Sequence, residues 1–351
     1  MKDYHVGGEI ALLLLSRPSV MPIQAQLPDL SIVVPCFNEA AVLPLLKDRL
    51  GATLGAQSSS WEVILVDDGS TDTTLEQLEA MHREDSRFCI LSFSRNFGHQ
   101  AAISAGLAHA TGRLVAVMDA DLQDPPEILS TCIDLIGKGY DVVYAVRKKR
   151  KEGIAKRTAY QIFYRLLKAI SEVEIPLDAG DFCVMSRRVV DLLNSMPERN
   201  VFVRGLRAWA GFRQIGLEYE RAARAAGETK YPFSKLWRLA TDGVFSLSTA
   251  PLRLATYAGF FSVGCSVAAG LFVVLWRTIG FRFMGHRAVE LPGWAAIIAA
   301  MLFLSGIQLL ILGFVGEYIG RIYAEVKQRP RWVIRQSRGL PPATPVRGET
   351  L

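Results

Sequence analysis

The chain has 351 residues, enough for one large domain or two smaller ones, and half of them are hydrophobic, with a mean hydropathy of +0.22. That is high for a purely soluble protein and asks which apolar segments sit in lipid. The net charge of +6 and pI of about 9.1 favour anionic partners, while five cysteines (Cys36, Cys89, Cys132, Cys183, Cys265) without C-x-x-C spacing exclude a zinc-finger or disulfide framework and read as reduced thiols.

Residues 1–29 read as an N-terminal extension, because the apolar run Ile10–Leu15 is short for a signal-peptide core and no clear small-x-small cleavage site follows it. Residues 30–35 (LSIVVP) are apolar and β-branched, which predicts a buried strand, and a helical stretch follows from Glu39. Residues 61–66 (WEVILV) predict a second strand, broken at Asp67-Asp68-Gly69-Ser70-Thr71-Asp72, a turn with ready capping residues for the next helix. Further strands are expected at Phe88–Phe93, Arg113–Met118 and Asp141–Ala145, with helices at Ala101–Ala110 and from Pro125-Pro126-Glu127. Such alternation predicts an α/β fold, a parallel sheet covered on both faces, with ligands at the carboxyl ends of its strands. The first loop, Pro35-Cys36-Phe37-Asn38-Glu39, is not G-x-G-x-x-G, and no G-x-x-x-x-G-K-[ST] occurs, which disfavours a Rossmann dinucleotide site and a P-loop.

Downstream, residues 154–170 predict an amphipathic helix with Ile162, Phe163, Leu166, Leu167 and Ile170 on one face and Arg157, Gln161, Arg165 and Lys168 on the other, suited to a membrane interface. Residues 234–250 predict a second interfacial helix. Leu254–Trp276 and Gly293–Gly316 contain no charged residue, and each exceeds the roughly 20 residues a helix needs to cross a bilayer core. Lys230, Lys235, Arg238 and Arg253 precede the first span, and Arg321, Lys327, Arg329, Arg331, Arg335 and Arg338 follow the second, which puts both flanks in the cytoplasm. The connecting loop holds Arg277, Arg282 and Arg287, so the bias is not clean.

The strand-end acids carry the chemistry. Asp119-Ala120-Asp121 follows an apolar strand directly, and two carboxylates at that spacing can share one hard cation, with Gln123 adding a carbonyl oxygen. A cation there would neutralise a departing diphosphate. Asp67 and Asp68 form a second acidic pair at a neighbouring strand end, where a carboxylate can either cap a helix or accept hydrogen bonds from a base or ribose.

Taken in order, IVVPCFNEA, LVDDGSTD, SRNFGHQAA and MDADLQDPPE resemble the family-2 glycosyltransferases of GT-A fold. The later segments GDFCVMSRRVVDLL, ERNVFVRGLRAWAGF and RAARAAGETKYPFSKLWRLATDGVFSLSTAPLRL, with the two spans, are similar to the polyprenyl-phosphate glycosyltransferases, which include the bactoprenol glucosyltransferases and, more distantly, dolichol-phosphate mannose synthase. The resemblance implies a cytoplasmic GT-A domain over 30–232 with an interfacial helix at 154–171, a second interfacial helix at 233–252, spans at 253–277 and 293–318, an extracytoplasmic loop at 278–292 and a cytoplasmic tail at 319–351. It implies inverting transfer of one sugar, glucose from UDP-glucose first, to undecaprenyl phosphate at the cytoplasmic face of a bacterial inner membrane, with Mg²⁺ or Mn²⁺, by a homo-oligomer that is most often a tetramer. Mannose, galactose, N-acetylglucosamine and amino-arabinose donors stay open.

By the same resemblance, Pro35, Asn38 and Glu39 line the nucleotide pocket, Asp67 contacts the base or ribose, and Asp119 faces the nucleotide. Asp121 and Gln123 hold the metal with Asp119 beside them, and Asp181 of the GDF segment is the candidate catalytic base. Arg147 and Arg157 stand at the acceptor-phosphate positions, although Tyr160-Gln161 replaces a serine usual there. A phosphate monoester has a second pKa of roughly 6 and is mostly ionised at pH 7, so it needs cations to hold it more than a base, and Arg221 and Arg224 are further candidates. Three rival readings are weaker. A processive polysaccharide synthase would use Q-x-x-R-W, which Gln328-Arg329-Pro330-Arg331-Trp332 fits, but that segment follows both spans and Pro330 would break a helix. A non-catalytic scaffold would not need the acids at 67, 68, 119, 121 and 181, and nucleic-acid binding is disfavoured because the basic residues cluster near the spans.

Overall fold

The computed structural model describes residues 27–55, 60–147, 179–198, 202–220, 250–279 and 293–340. Its centre is an eight-stranded sheet in the order β7-β5-β6-β4-β1-β2-β3-β8. The first strands, β1 (Leu30–Cys36), β2 (Trp61–Asp67) and β3 (Phe88–Phe93), are continuous apolar runs buried on both faces, as expected for strands sandwiched between helices. Alternate side chains feed two separate cores. Ile32, Val34, Val63 and Leu65 pack with α1 (Leu43–Gly55), α2 (Thr74–Glu84) and α4 (Ile128–Gly137). Val33, Ile64, Val66 and Val117 pack with α3 (His99–His109), α5 (Arg187–Ser195) and α6 (Val203–Trp209).

The sheet is mostly parallel rather than wholly so. β1 pairs parallel with β2 and with β4 (Leu114–Val117), β2 with β3, and β5 (Val142–Arg147) with β7 (Gln214–Tyr219). β6 (Ala179–Ser186) runs antiparallel between β4 and β5, and β8 (Ile334–Arg338) closes the β3 edge antiparallel. Neither antiparallel strand announces itself locally: β6 opens on Ala-Gly-Asp and β8 (IRQSR) has one apolar residue, so their pairing is decided by long-range hydrogen bonding. Two helix starts also shift. Glu39–Val42 form a turn, with the Val42 amide donating to the Glu39 carbonyl at 2.9 Å, and α1 begins only at Leu43; Pro125–Glu127 likewise turn before α4 starts at Ile128.

Two long helices, α7 (Ala250–Ile279) and α8 (Trp294–Val326), contain the segments Ala255–Phe272 and Ala300–Val326, each long and apolar enough to cross a bilayer and hardly buried at all (6% and 0%). A soluble core helix of this composition would be covered; here Phe260, Phe261, Leu302 and Phe303 stand exposed. α8 runs eight residues past the expected end of the span at 318, and β8 then joins the sheet built by the chain before α7. Both flanks of the helical pair therefore meet in one sheet, and residues 334–338, expected in a tail, belong to it. The interfacial helix expected at 154–170, and the one expected at 234–250 up to residue 249, lie outside the described residues; Ala250 already belongs to α7.

α3 lies close on β1 because Gly106 has no side chain: a Cβ there would sit 2.2 Å from Val33 Cγ1. Gly106→Val should lower stability by about 1–3 kcal/mol through overpacking, read as a drop in the melting temperature of the purified protein.

Candidate active site

Register brings the functional loops together. Cys36 pairs with Asp67, Asp67 with Ser92, and Val33 with Val117, so the carboxyl ends of β1 to β4 form one edge. Because β6 is antiparallel, its beginning reaches that edge: Cys183 pairs with Val117, which sets Asp181 beside the loop after β4.

The first two loops are sewn to each other. Asn38 adopts φ +55°, a left-handed conformation asparagine tolerates, and its Oδ1 accepts from the Thr71 amide at 2.8 Å while its own amide donates to Ser70 Oγ at 3.0 Å. The Glu39 amide donates to Thr74 Oγ1 at 2.9 Å, and Pro35 is buried in β1 against Val66. Asp67 is buried, with Oδ1 accepting from the Ser70 amide (3.0 Å) and Oδ2 from Ser92 Oγ (2.8 Å). Asp68 accepts from the Phe97 amide at 2.7 Å and the Gly98 amide at 3.0 Å, and burial raises its pKa against those bonds. Both acids therefore organise loops, and Asp68 Oδ1 accepts from both the Phe97 and the Gly98 amides.

At the centre His99, the first residue of α3, bridges two carboxylates. Its Nε2 lies 3.5 Å from Asp119 Oδ1 and 3.3 Å from Asp181 Oδ2. Arg204, from α6, reaches the other side of Asp181, with Nη2 3.1 Å from Oδ1. Burial would push the Asp181 carboxyl up, but the His99 hydrogen bond and the Arg204 charge outweigh it and hold Asp181 well below the usual carboxylate range. The imidazole is raised in turn: burial opposes its charge, and the Asp181 bond and Asp119 charge overcome that. Asp119 goes the other way, pushed up to about 6 by burial, with Asp181, Asp124 and Asp121 adding repulsion against the relief from His99. Two neighbouring acids are thus driven apart in character.

Asp121 is buried, and its Oδ1 accepts from the Gln123 amide at 3.1 Å. Between them Leu122 has φ +55°, unfavourable for a large residue and costing about 1–3 kcal/mol; burial of its side chain in the core offsets that strain and fixes the turn. Asp124 is also buried and accepts from Tyr219 Oη at the end of β7. No three His, Cys, Asp or Glu side chains among the described residues close on a point as a complete cage. The donor set fits a hard cation that keeps open positions: two carboxylates and an amide at one loop, in a cluster of acids whose repulsion adds to the burial that lifts Asp119.

Sequence reasoning missed His99, Arg204 and Arg207, although all three fall in quoted motif segments. Arg207 is buried against β5 and β6, beside Cys183 and with its guanidinium carbon 5.0 Å from the Tyr144 ring centre, and Nε and Nη2 have no hydrogen-bond partner among the described residues. Arg147 ends β5, and Arg157, Arg221 and Arg224 lie outside the described residues. Trp332, of the Q-x-x-R-W match, is buried on the α3 side of the sheet and stacks on Phe93.

A mostly parallel sheet, with an antiparallel strand beside the D-x-D strand and acids along one edge, is a GT-A fold. The model of glycosyl transferase family 2 matches residues 31–193. An uncharacterised glycosyltransferase of Bacillus subtilis, YkcC, is 44% identical over 311 residues, 88% of this chain and 94% of its own. The bactoprenol glucosyl transferase of Shigella phage SfII is 40% identical over 314 residues, 89% of this chain and 99% of its own. Among solved structures, glucosyl-3-phosphoglycerate synthase from Mycobacterium tuberculosis gives a TM-score of 0.42 at 21% identity, covering 62% of this chain and 79% of that one. The chain belongs to glycosyl transferase family 2.

Two outcomes are expected. A divalent cation held by Asp119 would have to displace its proton below a pKa of about 6, so Mn²⁺ affinity, read by electron paramagnetic resonance, should hold above pH 7 and fall as pH drops through 6; Asp119→Asn should flatten that dependence. Two of the buried Arg207 donors, Nε and Nη2, have no partner among the described residues, which costs stability, so Arg207→Met should keep or raise the melting temperature; a lower melting temperature would show that the ring contact with Tyr144 outweighs that cost.

Proposed function

We propose that the protein transfers a single glucose from UDP-glucose to polyprenyl phosphate, with inversion, at the cytoplasmic face of a bacterial inner membrane. The observation that carries this reading is the 40% identity to a bactoprenol glucosyl transferase over 99% of that relative, a match long enough to take in the strand-edge acids and most of both apolar helices. Pro35, Asn38, Glu39, Asp67 and Asp68 line the nucleotide side of the edge. Asp121, Gln123 and Asp119 would hold Mg²⁺ or Mn²⁺, which when bound supplies charge neutralisation for the leaving diphosphate. Arg147, Arg157, Arg221 and Arg224 hold the acceptor phosphate, and the enzyme works as a homo-oligomer, most simply a tetramer.

The geometry supports a revised role for Asp181. A carboxylate gripped by His99 and Arg204 and held far below its usual pKa is a weak proton acceptor, and an ionised acceptor phosphate needs none. Asp181 instead orients the two cationic side chains at the point where donor and acceptor anions must be brought together.

The test is transfer of radiolabel from a panel of UDP- and GDP-sugars into undecaprenyl phosphate with Mg²⁺ or Mn²⁺. Label from UDP-glucose should enter the lipid as one sugar, and Asp121→Ala or a chelator should reduce it by at least about 100-fold. No lipid label from any donor, with folded protein, would overturn the acceptor; a polymer product would favour a processive synthase.

A further inference from the structure

We infer that Arg331–Arg338, the segment following the second apolar helix, is a positioning element of the nucleotide pocket; this rests on the pocket assignment proposed above. The observations form a connected path. α8 ends at Val326, and a short stretch delivers Trp332, 5% exposed, to the sheet. Its ring stacks on Phe93 with centroids 6.4 Å apart at 10°, and Phe93 in turn meets Phe97 edge-on at 5.7 Å. Phe97 and Gly98 donate their amides to Asp68, and the next residue is His99, which bridges Asp119 and Asp181.

The backbone follows the same path. The Ser94 amide donates to the Val333 carbonyl at 2.9 Å, just where the β3–β8 register shifts between Ser92 and Phe93. Gln336 pairs with Ser92, whose hydroxyl donates to Asp67. Outward anchors hold the segment from behind: Arg331 Nη2 donates to the Met196 carbonyl at 2.6 Å, and Gln336 Nε2 to Glu79 Oε1 at 2.9 Å.

Loop 94–98 needs such support, because Ser94, Arg95 and Asn96 are exposed and bring no core packing of their own. Its other close neighbour is Gly69, which the loop approaches so tightly that a Cβ would lie 2.4 Å from the Arg95 carbonyl carbon. Trp332 thus clamps the loop from the α3 side while Asp68 holds it from the pocket side. The indole Nε1 is buried without a hydrogen-bond partner among the described residues, so the residue acts through ring shape and stacking, which phenylalanine can reproduce.

The experiment uses the full chain in detergent. Calorimetric titration with UDP and Mg²⁺ is run on wild type, Trp332→Ala and Trp332→Phe, alongside donor and acceptor KM in the transfer assay. Trp332→Ala should weaken UDP binding and raise donor KM by about tenfold or more at unchanged acceptor KM, and Trp332→Phe should recover to within about twofold. Folded Trp332→Ala that binds UDP like wild type, or a loss shared equally by both substrates, would overturn the inference. Should Trp332→Ala not fold, Phe97→Leu carries the test, since it leaves β8 in place and removes the edge-on contact with Phe93 together with the seat of the Arg95 guanidinium on that ring: UDP binding weakened several-fold is expected, and unchanged binding overturns the inference. Wild type that binds no UDP would sink the pocket assignment itself and the inference with it.

Discussion

The crowding of carboxylates at one sheet edge is the constraint on which the rest of the site depends. Asp121 and Asp124 are buried, Asp119 and Asp181 half-buried, and repulsion among them is built into the register of β4 against β6. Such a cluster persists only if charge of the other sign is supplied. His99 and Arg204 supply it to Asp181, which stays firmly ionised, whereas Asp119 has half of one imidazole and is pushed toward neutrality. The remaining deficit lies at the D-x-D loop, where a divalent cation gains most. A cation bound there would be held less by a cage than by the unbalanced end of a charge network.

Reversal of β6 makes that network. In a wholly parallel sheet, the beginning of a strand lies at the edge opposite the ligand site, and the GDF segment would put Asp181 far from Asp119. Running β6 antiparallel delivers its first residues to the carboxyl edge, and α5 and α6 then follow on the α3 side, from which Arg204 and Arg207 point back at β6. One topological departure accounts for the position of Asp181 and for the arginine, Arg204, that grips it.

Much of this was legible in the sequence. Buried strands such as Leu30–Cys36 and Phe88–Phe93 declare themselves through apolar β-branched runs, and the D-x-D loop through its place after one of them. What local patterns do not carry is pairing across long separations. β8 is a polar pentapeptide whose partner lies more than 240 residues earlier, and its strand character comes entirely from hydrogen bonding to β3. His99 and Arg204 were hidden for a related reason: a lone histidine or arginine in a loop or helix reads as solvated until the fold sets it 3.3 Å or 3.1 Å from a buried acid. Asp67 and Asp68, which the sequence left open between helix cap and ligand contact, spend much of their hydrogen-bonding capacity on neighbouring loops, a use that only the long-range pairing of those loops reveals.

The join between the apolar helices and the sheet bears on how a lipid substrate would be met. α8 continues beyond the length a bilayer requires and passes within a few residues into Trp332 and β8, so the site sits on the end of a helix rather than on a loose linker. In the proposed reaction the acceptor phosphate is confined to headgroup level and the donor is a soluble anion. Catalysis then depends on holding the pocket at a fixed height, because proximity gains are lost over displacements of about 1 Å. A tail that is at once the continuation of a helix long and apolar enough to cross a membrane and an edge strand of the sheet meets that requirement with backbone hydrogen bonds, which transmit position far more stiffly than a solvated connector would.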